Sequence, residues 1–139
     1  MEPIVGSSET TASAARAWSA WTTVDSWPDG ELIENASIDR PFAVGSQITS
    51  QLRGFPETSS TVTLVDEPHR WVNEAAMGDL TMTYDHVIEA TPTGCRLTES
   101  LVVSGPQAED VAAMLREPLA ALFGQTTARV AGLAEATTS

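Results

Sequence analysis

The clearest chemical potential lies between Leu80 and Ser104, where a phenol, an imidazole and a carboxylate fall into two alternating runs. Leu80, Met82, Tyr84, His86 and Ile88 occupy every second position, while Thr81, Thr83, Asp85 and Glu89 mark the opposite face. A period of two describes a half-buried strand, so Tyr84 and His86 point inward with the apolar set. In the next run Leu97, Glu99, Leu101 and Val103 alternate with Thr98, Ser100 and Ser104, which turns the Glu99 carboxylate inward too. Thr91-Pro92-Thr93-Gly94 separates the runs as a loop. Counting back from it, Ala90 faces Cys95, Glu89 faces Arg96, Ile88 faces Leu97 and His86 faces Glu99. Directly opposed side chains start ~5 Å apart at Cβ. The outward Glu89–Arg96 pair would be a solvated ion pair of little energetic weight. The inward pair is different: Glu99 could orient His86 and hold its tautomer, His86 could move a proton, and Tyr84 could polarise a carbonyl. The same residues equally fit hydrogen bonding to a ligand, or a buried pair that satisfies itself.

Other chemistries lack their residues. His69 and His86 are the two histidines, too few for a three-histidine metal centre, and His69 falls in a turn. Gly-rich phosphate loops are missing, and Ser104-Gly105 and Gly6-Ser7 lack the flanks of a hydrolase elbow. The single cysteine, Cys95, excludes an intramolecular disulfide and reads as an incidental thiol at a hairpin end. Nineteen acids against seven bases, all arginines spread evenly along the chain, give a net charge of −12. Nucleic acid and anionic membrane surfaces need clustered cations and are therefore disfavoured partners. No apolar run approaches the ~18 residues of a membrane span. With no basic and apolar leader at Met1–Gly6, the expected location is cytoplasmic.

The 139 residues, 42% of them hydrophobic, fit one domain over 1–139 with a core of its own. Breaker clusters divide the chain into short strands with a helix near each end. Ile4–Ser7 reads as a first strand, and Thr10 or Thr11 as the cap of a helix carrying Ala14, Ala15, Trp18 and Trp21 on one stripe. That helix stops before Ser26-Trp27-Pro28-Asp29-Gly30. Leu32–Asp39, Ser46–Gly54, Thr61–Asp66, Arg70–Met77, Leu80–Ala90 and Arg96–Ser104 then follow as strands. Breaks this short imply an antiparallel meander, because parallel crossovers need a dozen or more residues. The last element is a helix from about Ala108 to Ala136, with Val111, Leu115, Leu119, Leu122, Phe123, Thr126, Val130 and Leu133 on its apolar face. It would run roughly 40 Å, and Pro118 should kink or locally break it. A curved sheet gripping this helix can enclose a ligand-sized space, and a solid α+β core is the alternative.

Several segments, in order, resemble one family. Ala17-Trp18-Ser19-Ala20-Trp21-Thr22-Thr23-Val24-Asp25-Ser26-Trp27-Pro28 is similar to the first-helix signature of the START-like, helix-grip superfamily, nearest to its bacterial polyketide cyclase/dehydrase group. Pro41-Phe42-Ala43-Val44-Gly45-Ser46, Val65-Asp66-Glu67-Pro68-His69-Arg70-Trp71, Tyr84-Asp85-His86-Val87-Ile88-Glu89, Gly94-Cys95-Arg96-Leu97-Thr98 and Ser104-Gly105-Pro106 continue the likeness. One local departure is Asp29-Gly30, where many relatives carry a tryptophan; it should loosen the pocket mouth or move its wall.

The resemblance implies an α+β helix-grip fold: a strongly curved antiparallel sheet of six or seven strands around a long C-terminal helix, with short helices after the first strand. It implies a monomer or homodimer that takes a small hydrophobic ligand or polyketide-like substrate. The implied activity is cyclisation or dehydration of a natural-product intermediate, with a non-catalytic carrier as the alternative. No cofactor is expected, since proton transfers beside carbonyls need only positioned acids and bases. The expected catalytic residues are His86, Glu99 and Tyr84. The expected cavity, ~300–1,000 Å³ as such sites usually are, is lined by Leu52, Trp71, Met82, Leu101, Leu115, Leu119 and Phe123. Trp18, Trp21 and Trp27 read mainly as packing residues.

Overall fold

The computed structural model describes residues 2–136. Its elements are β1 (Ile4–Thr10), α1 (Ala14–Thr22), a 3-10 turn (Val24–Ser26), β2 (Ile33–Ile38), β3 (Gln47–Leu52), β4 (Thr58–Asp66), β5 (Arg70–Met77), β6 (Leu80–Thr91), β7 (Gly94–Ser104) and α2 (Ala108–Ala136). The strands form one antiparallel sheet in the order β1-β7-β6-β5-β4-β3-β2, so the meander runs unbroken from β2 to β7 and β1 closes on its end. Register shifts between Ile33 and Asn35 and between Val62 and Leu64 add local twist, curling the sheet into a half-barrel. This is the helix-grip architecture.

Packing explains where the chain departs from its local signals. β1 extends to Thr10 because its full length pairs with β7, from Ile4 opposite Leu101 to Thr10 opposite Cys95. Thr10 therefore does not cap α1; its hydroxyl accepts from the Ala12 N–H and donates to Glu135 on α2 at 2.7 Å. Ser13 is the cap, accepting from the Arg16 N–H. Pro118 causes no break: α2 is one helix of 29 residues. Arg96 stands opposite Glu89 in register but pairs with Glu9 on β1 at 3.0 Å, so the expected Glu89–Arg96 ion pair is replaced by a neighbouring one.

α2 lies across β1 and β7 and against α1. Two buried clusters result. One joins Trp18, Trp21 and Val24 to Trp71, Ile88 and Leu97; the other joins Ile4, Met82, Leu101 and Val103 to Leu119 and Phe123. Gly6 sets the spacing between β1 and α2. A Cβ there would fall 2.6 Å from Phe123 Cβ and from the Gly124 nitrogen, so only glycine admits this approach. Among the described residues, no helix is long and apolar enough to cross a membrane.

Candidate functional site

The β6–β7 hairpin places the sequence-derived residues together. The ladder pairs Ala90 with Cys95, Ile88 with Leu97, His86 with Glu99 and Tyr84 with Leu101, and closes with one further pair, Thr91–Gly94. On the other side of β6, His86 faces Trp71 and Tyr84 faces Asn73 of β5. Trp71, His86 and Glu99 thus form one row across three strands, with Asn73, Tyr84 and Leu101 the adjacent row.

Between this surface and α2 lies a cavity of about 200 Å³. Leu52, Trp71, Met82, Tyr84, His86, Glu99, Leu115, Leu119 and Phe123 all line it. Leu101 does not. It sits at 1% exposure in the core cluster with Ile4 of the neighbouring strand β1 and with Leu119 and Phe123 of α2. The volume is below the expected range, and Trp21 and Trp27, besides packing α1 and its following turn, line the space. Asn73, Phe55 and Arg129 are further lining residues that the sequence pattern did not single out, and Thr126, read from sequence only as part of the apolar face of α2, lines it too.

The expected division of labour between His86 and Glu99 is altered by a group that no side-chain pattern reveals. His86 Nδ1 lies 3.2 Å from the Trp71 carbonyl oxygen. A carbonyl only accepts, so Nδ1 carries the hydrogen of the neutral ring, and the backbone rather than Glu99 fixes the tautomer. Nε2 is left as an acceptor, 3.7 Å from Glu99 Oε2. The imidazole stacks on Trp71 with centroids 3.5 Å apart and meets Trp21 edge-on at 5.1 Å. Burial in this aromatic wall pushes the His86 pKa down to about 3, although the Trp71 carbonyl and Asp85 favour protonation.

Glu99 responds oppositely, because its charged form is the anion. Burial raises its pKa to about 7, with the Thr126 hydroxyl acting against the rise by donating to Oε1 at 3.0 Å. Tyr84 is pushed up to about 12 by burial and by the Glu99 charge, so it remains a neutral donor. Its hydroxyl has no hydrogen-bond partner among the described residues, while its ring meets Phe123 edge-on at 6.4 Å. The site therefore holds a neutral acceptor, a neutral donor and a carboxyl that changes charge near neutral pH.

Arg129 sits at the edge of the cavity. Its Nε lies 3.6 Å from Asp29 Oδ2, and its Nη2 donates to the Ser26 carbonyl at 3.2 Å. Asp29 Oδ1 accepts from the N–H groups of Glu31, Leu32 and Ile33, which hold its carboxyl below the usual range, led by Ile33. At the Asp29-Gly30 departure, an ion-paired turn thus ties the segment after α1 to α2. In the cavity wall Asn73 Nδ2 donates to Ser60 at 2.8 Å, while Asn73 Oδ1 and Trp71 Nε1 are buried without a hydrogen-bond partner among the described residues. The described residues contain no cluster of metal-ligating side chains.

No family model matches the sequence, and no curated protein does. Solved structures do match in three dimensions. The chain is similar to the di-domain ARO/CYC StfQ of the steffimycin biosynthetic pathway, with a TM-score of 0.75 and 14% identity over 96% of this chain and 50% of that one. It is similar to norcoclaurine synthase from Thalictrum flavum in complex with dopamine and hydroxybenzaldehyde (TM-score 0.72, 19% identity, 99% of this chain and 89% of that one). Protein MLL2253 from Mesorhizobium loti matches over 99% of this chain and 100% of its own, with a TM-score of 0.70 and 15% identity. At these identities the likeness establishes the fold, that of the START-like and Bet v 1-like proteins.

Proposed function

We propose that this chain binds a hydrophobic polyketide or similar carbonyl-rich natural-product intermediate in its cavity and promotes ring closure or dehydration by acid/base chemistry. The observation that carries the reading is Glu99, a carboxyl whose pKa is raised to about 7 in the wall of a largely apolar cavity that Tyr84 and His86 also line. A proton-transfer group works best when its pKa lies near the working pH, which assigns the transfer to Glu99 rather than to the weakly basic His86.

In this reading, the Glu99 carboxylate takes a proton from the carbon beside a ligand carbonyl. Tyr84 donates a hydrogen bond to the enolate oxygen, which is the charge that develops. The enolate carbon forms a bond to a second carbonyl carbon, and the resulting alkoxide takes the proton back from Glu99. For dehydration, Glu99 removes a second such proton, and the hydroxyl leaves with it as water. Each sequence returns Glu99 to its starting form and consumes no co-reactant. His86 presents Nε2 toward Oε2 and keeps that end of the site neutral. The likeness to an ARO/CYC protein and to norcoclaurine synthase supports the choice of ring-forming chemistry at the level of fold.

A carrier without catalysis is the second reading, favoured by the weak basicity of His86 and by its close stacking on Trp71. One experiment separates them. The protein is isolated with its natural ligand, the ligand is identified by native mass spectrometry, and the unreacted form is supplied to fresh protein. Release of an isomer, or of a product lighter by one water, supports catalysis; return of the compound unchanged supports the carrier.

A further inference from the structure

We infer that Thr126 is a positioning residue of this site: its hydroxyl claims Glu99 Oε1, so that the exchangeable proton is carried by Oε2, the oxygen facing His86. This rests on the reading of Glu99 as the proton-transfer group. The geometry begins with Gly6, which stands opposite Glu99 in the β1–β7 register. Lacking a Cβ, Gly6 lets α2 settle onto β1 at Phe123 and Gly124. Ser8 secures the contact by donating to the Thr127 hydroxyl at 2.9 Å, with the Gly124 carbonyl within reach of the same hydrogen at 3.2 Å. The next residues of α2 are thereby held over Glu99.

Thr126 Oγ1 has one hydrogen and two acceptors in reach, Glu99 Oε1 at 3.0 Å and the Phe123 carbonyl at 3.3 Å. The carbonyl already accepts from the Thr127 hydroxyl at 2.7 Å, so the Thr126 hydrogen is directed to Glu99. An oxygen that accepts such a bond is the worse place for a proton. Protonation then falls on Oε2, 3.7 Å from His86 Nε2, which is an acceptor because Nδ1 is held by the Trp71 carbonyl. Without Thr126 the carboxyl would lose its one hydrogen-bond donor among the described residues, and only the 3.7 Å approach of Oε2 to His86 would distinguish its two oxygens.

The ionisable groups facing Glu99 are few. From β6 come His86 and Tyr84, both neutral at pH 7. From α2 comes Arg129, engaged with Asp29. β1 contributes only Gly6 opposite it. Thr126 is thus the one polar group hydrogen-bonded to this carboxyl among the described residues, and a hydrogen bond to the ionised form lowers its pKa.

The test needs no ligand. Glutamate side chains are labelled with carbon-13, the Glu99 carboxyl signal is assigned by its loss in Glu99→Gln, and its midpoint is followed by NMR through a pH titration. Thr126→Val, nearly the same shape without the donor, should raise the midpoint by roughly one pH unit. Thr126→Ala should raise it similarly, and Thr126→Ser, which restores the donor, should return it to the wild-type value. Thermal midpoints report whether each variant is folded. A Thr126→Val or Thr126→Ala midpoint equal to wild type, or a Thr126→Ser midpoint shifted like theirs, would overturn the assignment. Unchanged turnover in Glu99→Gln would instead refute the catalytic reading and leave the titration result standing. If both readings hold, the acidic limb of the turnover profile moves with the midpoint.

Discussion

The strands β5 to β7 carry an ionic pair on each face, and the pairs differ in nearly every respect. On the outer face Arg70 and Asp85 meet through two hydrogen bonds, of 3.0 and 2.7 Å, with 47% and 27% of their side chains exposed. On the inner face His86 and Glu99 stand 3.7 Å apart at 5% and 14% exposure. The shorter, better-aligned pair is the less consequential one. Water solvates Arg70 and Asp85 whether or not they meet, so their contact adds little. Inside, neither group can be charged cheaply, and burial moves both toward neutrality: the histidine by losing its proton, the glutamate by keeping one. Solvent access, more than distance, decides what a pair of ionisable groups does here.

The wall behind the inner pair should prove most costly to remove. Trp71 is fully buried, stacked on His86 and Trp27 and touched edge-on by Trp21 and Phe42. Trp71→Ala should destabilise the fold by roughly 3–5 kcal/mol, read from chemical denaturation, and should relax His86 toward its ordinary pKa. A loss below about 1 kcal/mol would mean that the aromatic wall does not hold the inner face dry.

Next in size is the chemistry. Glu99→Gln keeps the shape but cannot exchange a proton, so turnover of the identified ligand should fall by about 100-fold or more with far less change in affinity. His86→Ala, expected from the residue pattern alone to have an equal effect, should cost less turnover and more stability, since the imidazole is a buried, stacked acceptor. Equal turnover losses in the two variants would return the proton-transfer role to the pair as a unit.

Stability against pH sharpens the contrast further. The folded Glu99 binds its proton more tightly than the unfolded residue, at about 7 against 4.5, so its contribution is lost as pH rises from 4.5 through 7. The folded His86 binds its proton less tightly, at about 3 against 6.5, so its contribution is lost as pH falls from 6.5 toward 3. The two slopes oppose each other between 4.5 and 6.5. Relative to wild type, Glu99→Gln should therefore gain stability as pH rises from 4.5 to 7, by something on the order of 1–3 kcal/mol. Denaturation midpoints at matched salt test this, and a pH-independent difference would place Glu99 in contact with water.

The outer pair should give the smallest effect. Arg70→Gln should cost less than about 1 kcal/mol, and the loss should shrink further in high salt. A larger, salt-insensitive loss would break the comparison.

Much of this was legible from residue order. Two alternating runs and the Thr91–Gly94 loop are enough to place His86 opposite Glu99, because side chains in a strand repeat every two residues and a hairpin fixes register. The long apolar stripe of α2 likewise announced a helix gripped by a sheet. The tryptophans were harder. Trp18 only packs, whereas Trp21 and Trp27 also line the cavity, and no spacing rule separates those uses. Leu101 shares the inward face with Glu99 yet is packed into the core with Ile4, Leu119 and Phe123, since facing inward says nothing of what lies above.

Local periodicity and short connections are enough to set the element order, the inward faces of β6 and β7, and the pairing of His86 with Glu99. What each member of that dyad does was decided only in three dimensions. The Trp71 carbonyl fixes the His86 tautomer from a neighbouring strand, and Thr126 reaches Glu99 from a helix 27 residues on in sequence, admitted by the missing Cβ of Gly6 at the other end of the chain. Hydrogen bonds and desolvation act through space at a few ångströms, so protonation follows from which surfaces are packed together, and no periodicity along the chain encodes that.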